Sequence, residues 1–413
     1  MICAIQKKGR ASGSPFARAG KLGLVITAMA LFSVSSLSAL DFGLELGNKA
    51  GIQNTGTFDW FTDHKETGWM TIPFDSLGDN VLSIEGSFYA SKPANRTSFR
   101  YYADLDLFRL SFVPVSGTGF RLGVDAGRIP VSDITGLIFN QPFDGTEFHF
   151  ALPFGNIDFS AGYTGLMNVR RSTGAFMSSD DYDDANTEAV YALGASRLIG
   201  KVTVQFPQLF GGIDLIAEGV GQYDMRRYTR ASYSEVVDTA YGTLFLSLPV
   251  SKFLFCSLMG SYQTGILTTS GSAYSENSLM AQARMDMYPF AGNQLYAQFL
   301  FSAAPGDFFT YFLPITFQSS GTLYAGGYGN LMKATAGWYC NPLDFLNIDV
   351  AGNVFLDSKN AMTGASFYNA TELTAGATIK ATSDLKFRLD SAFLFPNAAE
   401  LQYQASLKAI FEL

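Results

Sequence analysis

Charged residues recur two or four apart inside otherwise apolar stretches of this chain: Arg284 and Asp286 in LMAQARMDM, Arg388 and Asp390 in LKFRLDSAFLF, Arg121 and Asp125 in FRLGVDAG. Glu147 and His149 in TEFHF and Arg100, Asp104 and Asp106 in FRYYADLDL follow the same spacing. In an extended chain that spacing gathers the charges on one face. Rows of both signs can guide charged solutes or fill an interior as ion pairs, and the two readings stand side by side. Lys201, Gln205, Asp214, Glu218, Asp349, Glu372 and Lys380 extend the set. His64 and His149 are the only side chains available as neutral-pH bases, so an outer-surface lipase or protease reading would rest on His149.

These rows need strands to carry them. Phe120, Leu122, Val124 and Ala126 oppose Arg121 and Asp125; Leu279, Ala281, Ala283, Met285 and Met287 oppose Gln282, Arg284 and Asp286; Leu385, Phe387, Leu389, Phe393 and Phe395 oppose Lys386, Arg388 and Asp390. No apolar run after the N-terminus reaches the roughly 18 residues of a membrane helix, yet charged residues are only 15% of 413. That combination suits membrane strands, where a charge on the lipid face costs about 2 to 4 kcal/mol and belongs in the lumen. A soluble β-sandwich would have to bury all these apolar faces against one another.

Strands are expected near 80–91, 97–113, 119–128, 145–153, 156–166, 187–206, 212–224, 238–249, 252–267, 277–289, 293–304, 322–341, 344–357, 371–382, 385–396 and 400–413. Short and long connections alternate between them, with Gly, Pro, Asn, Asp or Ser in the short ones. The fold class is therefore all-β, a transmembrane antiparallel β-barrel of 16 to 18 strands. Eighteen applies if Asp41–Gly47 is paired by a second strand near Gly68–Phe74, which lets the first strand begin where the last ends.

The final strand, ELQYQASLKAIFEL, alternates Leu401, Tyr403, Ala405, Leu407, Ala409, Phe411 and Leu413 against mostly polar residues. It resembles the C-terminal assembly signal of outer-membrane β-barrels, departing from the commonest form by ending in Leu413 with Phe411 two places earlier. The resemblance implies recognition by the barrel assembly machinery. The stretch from Gly127 to Phe148 is similar to a GR…FDG pattern of alginate-export and related porin-like outer-membrane families, where the loop can fold inward. It implies a constriction at Ile134, Leu137, Ile138, Phe139, Phe143 and Asp144, against packing on a neighbouring loop as the alternative.

Lys7, Lys8, Arg10, Arg18 and Lys21, then the apolar Leu22–Val34 and small residues to Ala39, read as a cleaved signal peptide over 1–39, leaving 40–413 as one barrel domain. Cys256 and Cys340 lie far apart and need no bridge. The run Ser178–Asp184 lacks calcium-loop spacing and reads as a solvated acidic tip, so no metal and no cofactor is expected. Arg170, Arg171, Arg226, Arg227 and Arg230 could meet anionic lipopolysaccharide, an acidic solute or that acidic loop. With a net charge of −8 and no basic face, nucleic acid is not a partner. Expected partners are outer-membrane lipids, a small solute and two further copies in a homo-trimer. The function expected is a porin-like passage for small solutes through a mixed-charge lumen, with a surface-binding barrel or a carrier of hydrophobic cargo as the alternative. The mature N-terminus LDFGLELGNKAG lacks the Asn-Pro-Ala motif of long-chain fatty-acid transporters.

Overall fold

A computed structural model describes residues 40–75, 80–94, 96–171, 174–175, 177–229, 235–269, 272–302, 312–364 and 366–413. The expected signal peptide at 1–39 lies outside the described residues, as does Arg230. The strands are β1 (Asp41–Asn54), β2 (Phe58–Pro73), β3 (Val81–Lys92), β4 (Arg100–Gly117), β5 (Phe120–Ser132), β6 (Asn140–Leu152), β7 (Gly155–Tyr163), β8 (Arg197–Leu209) and β9 (Ile213–Asp224). They continue as β10 (Glu235–Ser251), β11 (Leu254–Thr269), β12 (Ser272–Met287), β13 (Asn293–Ser302), β14 (Leu331–Leu343), β15 (Leu346–Asp357), β16 (Tyr368–Lys380), β17 (Leu385–Pro396) and β18 (Gln402–Glu412). Three short helices, α1 (Ser179–Ala185), α2 (Arg226–Thr229) and α3 (Ser358–Thr363), lie in the long connections.

Each strand pairs antiparallel with its sequence neighbours, and β1 pairs with β18 from Glu45↔Glu412 to Asn54↔Tyr403. The result is a closed 18-strand barrel with no free sheet edge. The closure depends on β1 and β2 running far longer than the clear alternation at Asp41–Gly47 suggests. Their blurred pattern has a physical cause: Asn48, His64 and Glu66 interrupt the outward face with polar groups, while Phe61 and Trp69 turn inward.

Strand ends also differ from the expected limits. Residues 187–196 and 322–330 read as strand but form loop, so β8 begins at Arg197 and β14 at Leu331. The connection expected from Ile129 to Gly145 shrinks to 133–139, because β5 and β6 pair through Ser132↔Asn140. Phe143 and Asp144 are therefore strand residues of β6, a correction to their place in a loop.

Outward positions are large and apolar, with Leu110, Val202, Leu244, Leu258, Phe299, Leu389 and Leu407 among those exposed. Inward positions divide by height. Toward the rim with the short turns they are charged, including Asp349, Arg388 and Asp390. Toward the rim with the long connections they are apolar: Ile199, Val220, Leu300, Phe355 and Leu394 are buried there. Those side chains meet two connections that fold into the barrel, the β5–β6 loop through Ile138 and Phe139 and the β13–β14 loop through Phe312 and Ile315, all four with no exposed surface. The apolar core thus lies inside the barrel, between wall and loops.

Candidate channel interior

The two inward loops are tied to each other and to one side of the wall. Ile315 and Thr316 donate their backbone N–H groups to the Ile138 carbonyl at 2.8 and 3.0 Å, and Gln318 donates to the Gly136 carbonyl. Asp133 organises the β5–β6 loop by accepting from the N–H groups of Ile138 and Phe139 at 2.9 and 2.8 Å. The Ile134 N–H reaches Glu218 on β9, Leu313 reaches Gln263 on β11, and Tyr241 on β10 donates to the Leu313 carbonyl. Glu372 on β16 accepts from three successive backbone N–H groups, those of Thr322, Leu323 and Tyr324, and from Asn353 Nδ2. Tyr324 stacks on Phe355 at 4.0 Å between ring centroids. Among the described residues, the hydrogen bonds of these two loops go to each other, to β5 and β6, to the β7–β8 connection at Gly174, to α3 and to the wall from β9 round to β16. The wall of β17, β18, β1, β2 and β3 receives none.

That open wall carries a basic row. Arg388, Lys408 and Lys49 stand directly opposite one another across β17, β18 and β1. Like charges directly opposite on a sheet are destabilising, so the row needs compensation. Arg388 is compensated by Asp349 at 3.1 Å and Asp390 at 2.7 Å. Lys49 lies over the Phe61 ring at 5.4 Å, and on β2 Lys65 lies over Tyr89 at 5.3 Å. Tyr89 stacks on Tyr102 at 4.2 Å. Lys408 and Lys49 have no carboxylate within ion-pair distance among the described residues. None of Lys49, Lys65 and Lys408 stood out in the sequence. Lys408 was legible from its place between Leu407 and Ala409; Lys49 and Lys65 sit in the blurred stretch.

Among the residues singled out by spacing, Arg284 pairs with Asp286 at 2.7 Å and lies over Tyr296. His149, on β6, is ringed by Asp158 at 2.8 Å, Asp125 at 3.7 Å and Glu147 at 3.9 Å, with Lys201 at 3.6 Å from Glu147 and Arg109 at 4.0 Å from Asp125. Arg121 sits at the short-turn end of β5 opposite Ala151, and Arg100 at the long-connection end of β4. His64 faces outward, away from His149, so the two histidines share no site.

Asp104 is not presented to open space: it is enclosed in a seam of the wall. β4 pairs with β5 only from Phe108↔Arg128 to Gly117↔Phe120, leaving Arg100–Leu107 without a strand partner on that side. The β7–β8 connection fills the gap. Arg170, Asn168 and Arg128 side chains donate to the carbonyls of Tyr101, Ala103 and Leu105, at 2.8, 3.1 and 2.9 Å. Three side chains thereby replace the N–H groups that an adjacent strand would supply. Arg128 also grips both oxygens of Asp144 at 2.8 and 2.9 Å, and Arg171 bridges Asp104 and Asp106 at 2.8 and 2.6 Å. Asp144 therefore belongs to this seam and not to a constriction. β4 bulges at Asp106, which stands without a pairing partner on β3 between Leu105↔Gly86 and Leu107↔Glu85.

The acidic run 178–184 is not a fully solvated tip. Asp181 in α1 is buried and binds Arg197 at 2.5 Å and Arg226 at 3.1 Å, while Asp224 holds Arg226 at 2.5 Å and Arg197 at 3.2 Å. Burial opposes the charge of Arg226, but Asp224 and Asp181 more than offset it and hold the guanidinium above its ordinary range. No group of His, Cys, Asp and Glu among the described residues has the arrangement of a metal site. Cys256 and Cys340 are unbridged.

No family model and no curated protein matches the sequence. Solved structures do. OpdK of Pseudomonas aeruginosa, determined with vanillate, is 12% identical with a TM-score of 0.58, covering 91% of this chain and 99% of that one. A second structure of the outer membrane protein OpdK from Pseudomonas aeruginosa gives 10%, 0.55, 90% and 99%. OccD3 (OpdP) of Pseudomonas aeruginosa gives 10%, 0.55, 91% and 92%. At these identities the likeness is one of fold: this chain shares the porin-type barrel over nearly its whole described length.

Proposed function

We propose that this protein is an outer-membrane channel that admits small solutes along the β17–β18–β1–β2–β3 wall of a mixed-charge lumen. The observation that carries the reading is the division of the closed barrel into an apolar outward face and an inward face with charged rows. In a bilayer the closed pairing satisfies the backbone of the wall, and that division keeps the charged rows off the lipid face, the His64–Glu66 pair on β2 being the exception. The long connections then lie at the extracellular rim and the short turns at the periplasmic one. Two loops occupy one side of the lumen and leave the passage against the basic row Arg388, Lys408 and Lys49. The ammonium groups of Lys49, over the Phe61 ring, and of Lys408 have no carboxylate within ion-pair distance among the described residues and suit a small carboxylate, the class to which the vanillate of the similar OpdK barrel belongs. Among the described residues His149, the inward-facing histidine, is ringed by carboxylates and meets no hydroxyl or thiol, so a non-enzymatic passage is the reading adopted.

The test is single-channel recording of the refolded protein in a planar bilayer, with heat-modifiable gel mobility to report folding. Ohmic steps with anions favoured over cations are expected in a salt gradient. A folded barrel that passes no current, or one that favours cations, would refute the reading.

A further inference from the structure

The outward face of β1 and β2 carries a polar group at mid-height. Asn48 is the eighth of the 14 residues of β1, and His64 and Glu66 are the seventh and ninth of the 16 of β2. His64 Nδ1 meets Asn48 Oδ1 at 2.6 Å and Nε2 meets Glu66 Oε1 at 3.0 Å. The ring thus bridges amide and carboxylate. Among the described residues, Asn48 Nδ2 and Glu66 Oε2 take no hydrogen bond. A donor and an acceptor are left facing outward on either side of one imidazole.

Acyl chains could satisfy neither group, and the surroundings are shaped for something firmer. A side-chain carbon added at Gly68 would meet nothing within 4 Å and one at Gly86 only the Asp104 carbonyl oxygen at 3.7 Å, and Ala50 beside Asn48 is exposed. The wall is therefore shallow where the polar group stands. A donor and an acceptor flanking a centre form a self-complementary patch: turned through a two-fold axis at His64, Asn48 Nδ2 of each copy meets Glu66 Oε2 of the other. We propose that this patch is the contact of a two-fold homodimer of this chain within the membrane. A ring of three would need two different patches, and this surface offers one that matches itself. The proposal rests on the membrane-spanning reading of the barrel.

The test uses the full refolded chain in detergent micelles and in lipid nanodiscs, with mass determined by sedimentation equilibrium and mass photometry. Wild type is expected as a dimer. Asn48→Asp sets carboxylate against carboxylate at both contacts and should lower the association constant at least tenfold. The double change Asn48→Asp with Glu66→Gln exchanges acid and amide, keeps the histidine bridge and should restore association to within threefold of wild type. Heat-modifiable mobility confirms that each variant is folded, and ohmic steps from the same preparations test the channel reading separately. A monomeric or three-fold wild type, an Asn48→Asp dimer of undiminished strength, or a folded double variant that stays dissociated would overturn the proposal.

Discussion

Replacing Glu372 by Gln should free the β13–β14 loop without unfolding the barrel. The carboxylate takes the Leu323 and Tyr324 N–H groups on one oxygen, at 2.5 and 3.3 Å, and Thr322 N–H and Asn353 Nδ2 on the other, at 3.1 and 3.3 Å. A Gln side chain keeps one oxygen and points an amide N–H₂ at the remaining two donors. Hydrogen bonds to a charged group contribute about 1.5 to 3 kcal/mol each, but the loop N–H groups regain water when the loop lifts. A net loss of about 2 to 3 kcal/mol in docking is a reasonable magnitude, which raises the undocked fraction roughly 30- to 150-fold. Ser320, 2% exposed, reports the opening. In a Cys256→Ser, Cys340→Ser background, Ser320→Cys should react with a water-soluble maleimide at least 30-fold faster once Glu372→Gln is added, with larger and noisier single-channel steps. A labelling rate within threefold of the parent, in a protein still folded by gel mobility, would refute the idea that Glu372 holds the loop down.

Arg128→Ala should leave buried Asp104 to Arg171 alone and half-buried Asp144 without its guanidinium, destabilising the barrel by about 3 kcal/mol, read as a lower urea midpoint for loss of the heat-modifiable form. Gly127 has φ +116, and a Cβ there would lie 2.1 Å from the Phe108 carbonyl oxygen, so Gly127→Ala should reduce refolding yield more than Gly123→Ala, whose added carbon meets only ordinary contacts. Lys408→Glu reverses the centre of the basic row and should move the anion-to-cation permeability ratio toward cations by severalfold, measured as a reversal-potential shift in a salt gradient, while Lys252→Glu, in the tight turn between β10 and β11, should not.

Much of the wall was legible because alternation is a local property. Arg284 and Asp286, or Arg388 and Asp390, can be assigned to one face from nine or ten residues alone. The interior loops were not, since what fixes 312–328 is distant: Glu372, Gln263 and Tyr241 belong to other strands, and residues 322–330 have enough apolar character to pass for a strand. Inward apolar residues such as Leu300 and Phe355 carry no mark that distinguishes them from outward ones; they face in because a loop is there to meet them. The first two strands were blurred by a polar group on the wrong face, and Lys49 and Lys65 were lost with them. Asp104 and Asp106 share a face by spacing alone, but the seam that encloses them depends on partners more than 60 residues away. Spacing pointed to charged residues, but not to the ones enclosed in the wall.

The seam between β4 and β5 also bears on the order in which the barrel can be made. Near the short turn at 118–119 the two strands can zip as a hairpin as soon as both exist, but above Phe108 there is nothing on β5 for β4 to pair with. The carbonyls of Tyr101 and Ala103 wait for Arg170 and Asn168, 69 and 65 residues further along the chain. Assembly therefore cannot proceed strand after strand to completion: β5, β6 and β7 must be laid down while the upper half of β4 stays unfinished, and the wall there is sealed retroactively by a later connection.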